Sequence, residues 1–193
     1  GLWNLSCLAQ ALLPLASKEA LKAALDSYTP LCERRYMELM QAKIGLAEEH
    51  EDDAALIQDV LGLMQQSRAD YTNCFRALGA FSSAEGALNE PLRDYFLDRA
   101  AFDAWAARYA RRLRAERSRD EERRSRMNRV NPKYVLRNYL AQTAIEKAQR
   151  KDYSEVDRLL ALLQDPYGEQ PGMDAYAAAP PNWGKHLSVS CSS

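Results

Sequence analysis

The sequence predicts an all-α chain: one helical domain over residues 1–165, then an extended tail over residues 166–193. Three observations carry this. Ala, Leu, Glu and Arg are abundant while Val and Ile are scarce, a balance that favours helix over sheet. Gly and Pro number only eight each in 193 residues, enough to cap and separate helices but not to build a loop-rich fold. Apolar residues also recur at intervals of three and four in one segment after another, which is the period of a helix with one buried face.

Taken in order, Leu5 to Leu15 reads as an apolar opening helix with Pro14 near its end. Ser17 is placed to cap a second helix that has Glu19 in its first turn and runs to about Ser27. Thr29-Pro30 has the form of a cap followed by proline at the first helical position, and Tyr36, Met37, Met40 and Ile44 mark the buried face of that third helix, with Gly45 as its stop. The acidic cluster Glu48, Glu49, Glu51, Asp52 and Asp53 precedes a helix carrying Leu56, Ile57, Val60, Leu61 and Met64. Capping by the local dipole explains those acids better than a cation site, because the central glycine and alternating oxygen ligands of an EF-hand loop are lacking.

Tyr71, Cys74, Phe75 and Leu78 form the next stripe, which Gly79 can close, and Pro91 opens a short helix with Leu92, Tyr95 and Phe96. From Arg99 a longer helix buries Ala101, Phe102, Trp105, Ala106, Tyr109 and Leu113, and its arginine-rich continuation runs from Arg108 to Arg126. Asn131-Pro132 is then the expected start of a helix whose apolar face is Leu136, Leu140, Ala144 and Ala148. Asp152-Tyr153-Ser154-Glu155 has the spacing of a capping box for Val156 to Leu163, and Asp165-Pro166 ends that helix. The prolines and glycines from Tyr167 onward predict a tail laid on the surface and pinned by Tyr176 and Trp183.

Chemistry is sparse. With 26 basic and 27 acidic residues, bulk charge points to neither nucleic acid nor a lipid surface. No apolar run approaches the roughly 20 residues that span a bilayer, and Gly1-Leu2-Trp3-Asn4 lacks the features of a secretory signal, so a soluble, cytoplasmic protein without membrane partners is expected. Neither GxGxxG, GxxxxGK[ST] nor GxSxG occurs, and the two histidines, His50 and His186, are far apart. No catalytic residue, cofactor site or metal site is therefore assigned. The arginine run offers Arg119, Arg123 and Arg126 as candidate anion contacts, set against a solvated helix face laced with Glu116, Glu121 and Glu122, which is favoured because stacking aromatics are absent. Nucleic acid is accordingly a disfavoured partner. Of the cysteines, Cys7, Cys32 and Cys74 read as small buried hydrophobes, while Cys191 sits in a polar tail as a candidate reactive thiol.

Several segments resemble the selenoprotein O family, called YdiU in bacteria. They are Trp3-Asn4-Leu5 with Leu8 to Leu15, Tyr36 to Leu46, Met127 to Tyr134 with Leu136-Arg137-Asn138, Asp165-Pro166-Tyr167, Glu169-Gln170-Pro171, Pro181-Asn182-Trp183 and Cys191-Ser192-Ser193. The resemblance runs the length of the chain. It implies the helical C-terminal portion of a protein-kinase-like fold, in an enzyme that transfers AMP from ATP to Ser, Thr or Tyr of protein acceptors, or UMP with manganese. In that family the phosphate loop and the residues that hold ATP and Mg²⁺ or Mn²⁺ precede the Trp-Asn-Leu segment, so none is carried onto this chain. A structural or regulatory portion is implied, with the N-terminal catalytic portion as its partner and self-association when that partner is absent. The family is cytoplasmic in bacteria and mitochondrial in eukaryotes. Cys191 corresponds to the redox-active position near the family's C-terminus. The competing reading is a free-standing helical interaction module that uses its arginine face on an acidic or nucleic-acid partner.

Overall fold

The computed structural model describes residues 1–188, in which all regular structure is helical. The all-α expectation holds. The chain divides into two compact units, Gly1–Gln41 and Ala42 onward.

The first unit holds α1 (Leu2–Ala11), α2 (Lys18–Asp26) and most of α3 (Tyr28–Ile44). Ser17 caps α2 as expected: its Oγ accepts a hydrogen bond from the Ala20 N–H at 3.2 Å. α3 starts at Tyr28, ahead of Thr29, so Thr29 is not its cap and Pro30 lies within the first turn. There proline removes only an amide that has no helical partner in any case.

The second unit is built on α4 (Asp53–Ser67), α5 (Tyr71–Leu78), α6 (Glu90–Arg93) and α7 (Arg99–Ala115). Their shared core is an aromatic series in which Phe96 stacks on Phe102, Trp105 stacks on Tyr109, and Phe81 packs against both Trp105 and Tyr109. The polar atoms of these rings are satisfied. Trp105 Nε1 donates to the Leu56 carbonyl at 2.9 Å, and the Tyr109 hydroxyl donates to the Ile44 carbonyl. Ile44 is fully buried and Gly45 ends α3 at φ +79°, as its position predicts. Asp53 does more than complement the dipole of α4. It is buried, accepts from the His50 N–H at 2.9 Å, and pairs with Arg112 Nε at 2.8 Å.

The arginine-rich helix is not continuous. α7 stops at Ala115 and α8 (Asp120–Asn128) begins after a break at Arg117, whose φ is +55°. The Ser118 N–H returns to the Leu113 carbonyl and the Arg117 N–H to the Arg114 carbonyl, a Schellman closure with arginine in the left-handed position usually held by glycine. Arg68 and Lys151 occupy the same left-handed conformation after α4 and α9 (Asn138–Gln149). Without glycine or proline at these three ends, the sequence carried no stop signal.

Helix α9 begins at Asn138, six residues after Pro132, and the expected start at Asn131-Pro132 is wrong for an identifiable reason. The Lys133 and Tyr134 amides both donate to the Pro166 carbonyl, at 2.8 and 3.1 Å, which ties this segment to the end of α10 (Ser154–Gln164). Asn131 is buried and caps another helix: its Nδ2 donates to the Lys43 carbonyl at 2.7 Å, at the C-terminal end of α3. Leu140 and Ala144 are buried with Leu159 in a second core that Tyr139 and Tyr176 flank, whereas Leu136 lies in the loop and is exposed. The capping box before α10 does not form either. Asp152 Oδ1 accepts from the Ser154 N–H, while Glu155 turns inward to Lys147, Arg158 and the Tyr176 hydroxyl.

Beyond Pro166 the tail contains α11 (Asp174–Ala177) and a short 3₁₀ turn, Asn182–Gly184. Tyr176 and Trp183 are its pins, as expected. The Tyr176 hydroxyl donates to Glu155 Oε1 at 2.7 Å, and the Trp183 ring meets Tyr139 edge-on with centroids 6.0 Å apart.

Candidate functional site

The segment from Asp120 to Asn138 holds a fully buried arginine, Arg123, and a buried asparagine, Asn131. Asp120 is anchored by Ser83, whose hydroxyl and amide both donate to its carboxylate, at 2.6 and 3.0 Å. Arg123, one turn on, is fully buried: Nη1 donates to Asp120 Oδ1 at 2.8 Å and to Ser118 Oγ, and Nη2 donates to the Phe81 carbonyl. Although burial raises the Asp120 carboxyl, the bonds from Ser83 and Arg123 outweigh it and hold its pKa below the usual carboxylate range.

The three arginines proposed as anion contacts are therefore not one surface. Arg123 has no guanidinium face open to solvent and holds the fold from within. Arg126 is half-buried and reaches the Gly45 carbonyl at 3.3 Å. Only Arg119 is well exposed, and it pairs with Glu122 at 2.7 Å. The ion-paired helix face describes this run better than a phosphate-binding stripe.

Charge converges instead where the loop after α8 meets the tail. Arg76 of α5 donates through Nη1 to the carbonyls of Asn128 and Asn131, each at 3.0 Å, which fixes the direction of its other nitrogen. Nη2 then meets Glu169 Oε1 at 2.8 Å. Lys133 Nζ meets the second Glu169 oxygen at 2.6 Å and Asp174 Oδ1 at 2.7 Å. Asp174 and Glu169 hold the Lys133 pKa well above the ordinary lysine value, while Lys133 and Arg76 pull the Glu169 carboxyl down. Nearby, Asp70 is bridged by both Arg137 terminal nitrogens, at 2.6 and 3.0 Å, and also caps α5 through the Asn73 amide. Lys133 and Glu169 lie within the motifs legible in the sequence, whereas Arg76 and Asp174 lie outside them. Arg76 and Glu169 are 93 residues apart, and no periodic signal links them.

Among the described residues, no group of three or more His, Cys, Asp or Glu side chains is placed to hold a metal ion, and no helix is long and apolar enough to cross a membrane. Cys191 lies outside the described residues. Of the other thiols, Cys74 is buried as expected, but Cys7 and Cys32 are exposed. Burial, with the charge of Asp70 adding to it, pushes the Cys74 thiol up to about 12. In the native chain a thiol reagent at pH 8 should modify Cys7 and Cys32 promptly and Cys74 only after denaturation, because the thiolate is the reacting form. Mass spectrometry of the labelled peptides checks this, and early labelling of Cys74 would contradict the packing of α5.

Residues 1–164 match the family model for protein adenylyltransferase SelO, and the chain belongs to that family. It is 54% identical over 193 residues to the protein nucleotidyltransferase YdiU of Myxococcus xanthus, covering 100% of this chain and 40% of that protein. The YdiU proteins of Pseudomonas fluorescens strain Pf0-1 and Pseudomonas aeruginosa strain LESB58 are 53% and 51% identical, and 39% of each is covered. The chain thus spans about two fifths of the length of these relatives.

Proposed function

We propose that this chain is the non-catalytic helical portion of a protein nucleotidyltransferase, serving as the scaffold against which the catalytic portion folds. The observation that carries this is the apolar surface of residues 1–41. Helix α1 buries none of its side chains, and Leu2, Trp3, Leu8, Leu13 and Leu15 in and after it are exposed, Trp3 at 76% and Leu15 at 83%. Covering those five side chains would contribute about 10 kcal/mol of apolar transfer free energy, a strong drive to acquire a partner. The remainder of the parent enzyme, roughly three fifths of a relative's length, is the natural occupant, and self-association is its substitute when the chain is alone.

The buried arginines support the same reading, because Arg112, Arg123 and Arg137 each face carboxylates or carbonyls of this chain. Transfer of a nucleotidyl group needs positioned cations and metal ions around a triphosphate. In this proposal ATP and Mg²⁺ or Mn²⁺ bind in the kinase-like catalytic portion, which transfers AMP, or UMP, to protein hydroxyls in the cytoplasm. Cys191 would act there as a redox-active thiol.

The test is transfer of labelled nucleotide from ATP or UTP, with Mg²⁺ or Mn²⁺, by the purified chain after circular dichroism has shown it helical. No transfer is expected from the chain alone. Transfer is expected once it is co-expressed with the remainder of a YdiU relative. Transfer by the isolated chain would place chemistry in these helices and overturn the proposal.

A further inference from the structure

The cations at the junction of loop and tail differ from their anions in one respect. The side chains of Arg76 and Lys133 are only 14% and 17% exposed, whereas those of Glu169 and Asp174 are 69% and 78% exposed. The helical body therefore presents two inset, fixed cations, and the carboxylates approach them from the solvent side. Arg76 is held by the Asn128 and Asn131 carbonyls, so its position does not depend on the tail. Lys133 is held by its backbone bond to Pro166 and lies near the Tyr134 ring, 5.5 Å from the centroid.

One carboxylate spans both cations, with Oε1 on Arg76 and Oε2 on Lys133. Their donors thus converge on a volume that a single tetrahedral oxyanion fills equally well, with a further oxygen to spare. Beside them lies an open cavity of about 400 Å³, lined also by Arg124, Asn73, Asn128 and Tyr95. Among the described residues Arg124 has no anionic partner, and it adds a third positive charge to the cavity wall. Glu169 and Asp174 flank Pro171-Gly172, where Gly172 turns at φ +80°. Between them Gln170 Nε2 donates to the Leu162 and Asp165 carbonyls at 3.0 and 2.7 Å, so the backbone is anchored while the two exposed carboxylate side chains are free to swing away.

We propose that Arg76, Lys133 and Arg124 form a binding site for a free inorganic oxyanion, phosphate or pyrophosphate, and that Glu169 and Asp174 are its internal occupants, displaced when the anion binds. The site is independent of where nucleotidyl transfer takes place. Oxyanion binding would break the ion pairs of Glu169 and Asp174 and loosen the stretch from 167 to 175, which Gln170 and the flanking pins would then hold alone, coupling anion concentration to the mobility of the tail.

Isothermal titration of the chain with inorganic pyrophosphate, at pH 7.5 and constant ionic strength, tests this. The Glu169→Gln/Asp174→Asn double variant lacks the competing charges and should bind about tenfold more tightly than the wild type. Lys133→Met and Arg124→Ala should each weaken binding by about tenfold, the worth of one charge-assisted hydrogen bond. In the wild type, pyrophosphate should speed amide exchange in residues 167–175 and leave that of α4 and α7 unchanged. Affinities that are equal across wild type and all variants would overturn the site. Pyrophosphate binding with no change in tail exchange would overturn the displacement. Because Glu169, Asp174 and Arg124 are exposed, their variants retain the fold, and the test does not rest on Lys133→Met alone.

Discussion

Arg123→Ala is expected to destabilise the second unit by about 3–4 kcal/mol, while Arg119→Ala, four residues earlier, should have no measurable effect. The two arginines share a helix and a charge but not an environment. Arg119 pairs with Glu122 where both side chains are mostly exposed, so water replaces the partner at little cost. Arg123 is 0% exposed and makes three kinds of contact at once, to a carboxylate, a hydroxyl and a carbonyl. Truncation would orphan the Phe81 carbonyl, remove the charge opposite Asp120 and leave a cavity beneath Gly45. Asp120 keeps its two bonds from Ser83, which holds the cost below the upper end for a broken buried pair. Urea unfolding followed by circular dichroism measures the change as a lower midpoint at unchanged slope. Arg123→Met keeps much of the packed stem and should lose about half as much. A wild-type midpoint for Arg123→Ala would mean that the guanidinium is hydrated and that the buried network does not exist in solution.

Arg123 also marks where sequence reasoning stops. Helix class, the Ser17 cap, the Gly45 stop and the stripes of α4, α5 and α7 were legible because they depend on residues within a turn or two of each other. The break at Arg117 was not, since a left-handed arginine carries no compositional signal and is tolerated only because the Schellman bonds close over it. Asn131 was read as a local cap because Asn-Pro is a strong local pattern, but its amide is claimed by a carbonyl 88 residues earlier. Glu155 failed in the same way, being drawn out of its capping box by Lys147 and Tyr176. In each case a long-range polar bond outcompeted a short-range one worth about 1 kcal/mol. The junction of Arg76, Lys133, Glu169 and Asp174 is built wholly from such distant pairs, so only the folded chain displays it.

Gly45→Ala should cost about 3 kcal/mol, and the cost should collapse when Arg123 is removed. Two penalties act at this position. At φ +79° an L side chain loses about 1–2 kcal/mol to steric conflict with its own backbone. An alanine Cβ would also lie 2.6 Å from both Arg123 Cγ and Met127 Sδ, overpacking of a kind that costs about 1–3 kcal/mol. Met127 can rotate its flexible thioether aside. Arg123 cannot readily move, because Cγ lies mid-chain and the guanidinium beyond it is tied to Asp120, Ser118 and Phe81. Yielding to the new methyl would mean giving up those bonds. In an Arg123→Ala background the obstructing atom is gone, and Gly45→Ala should then cost only the backbone component of about 1–2 kcal/mol. The double variant is thus expected to be more stable than the sum of its parts, by about 1–2 kcal/mol of coupling. Denaturant midpoints of the four proteins measure that difference. Strict additivity would show that the stop of α3 and the buried arginine of α8 act independently, and that glycine is required at residue 45 by backbone conformation alone.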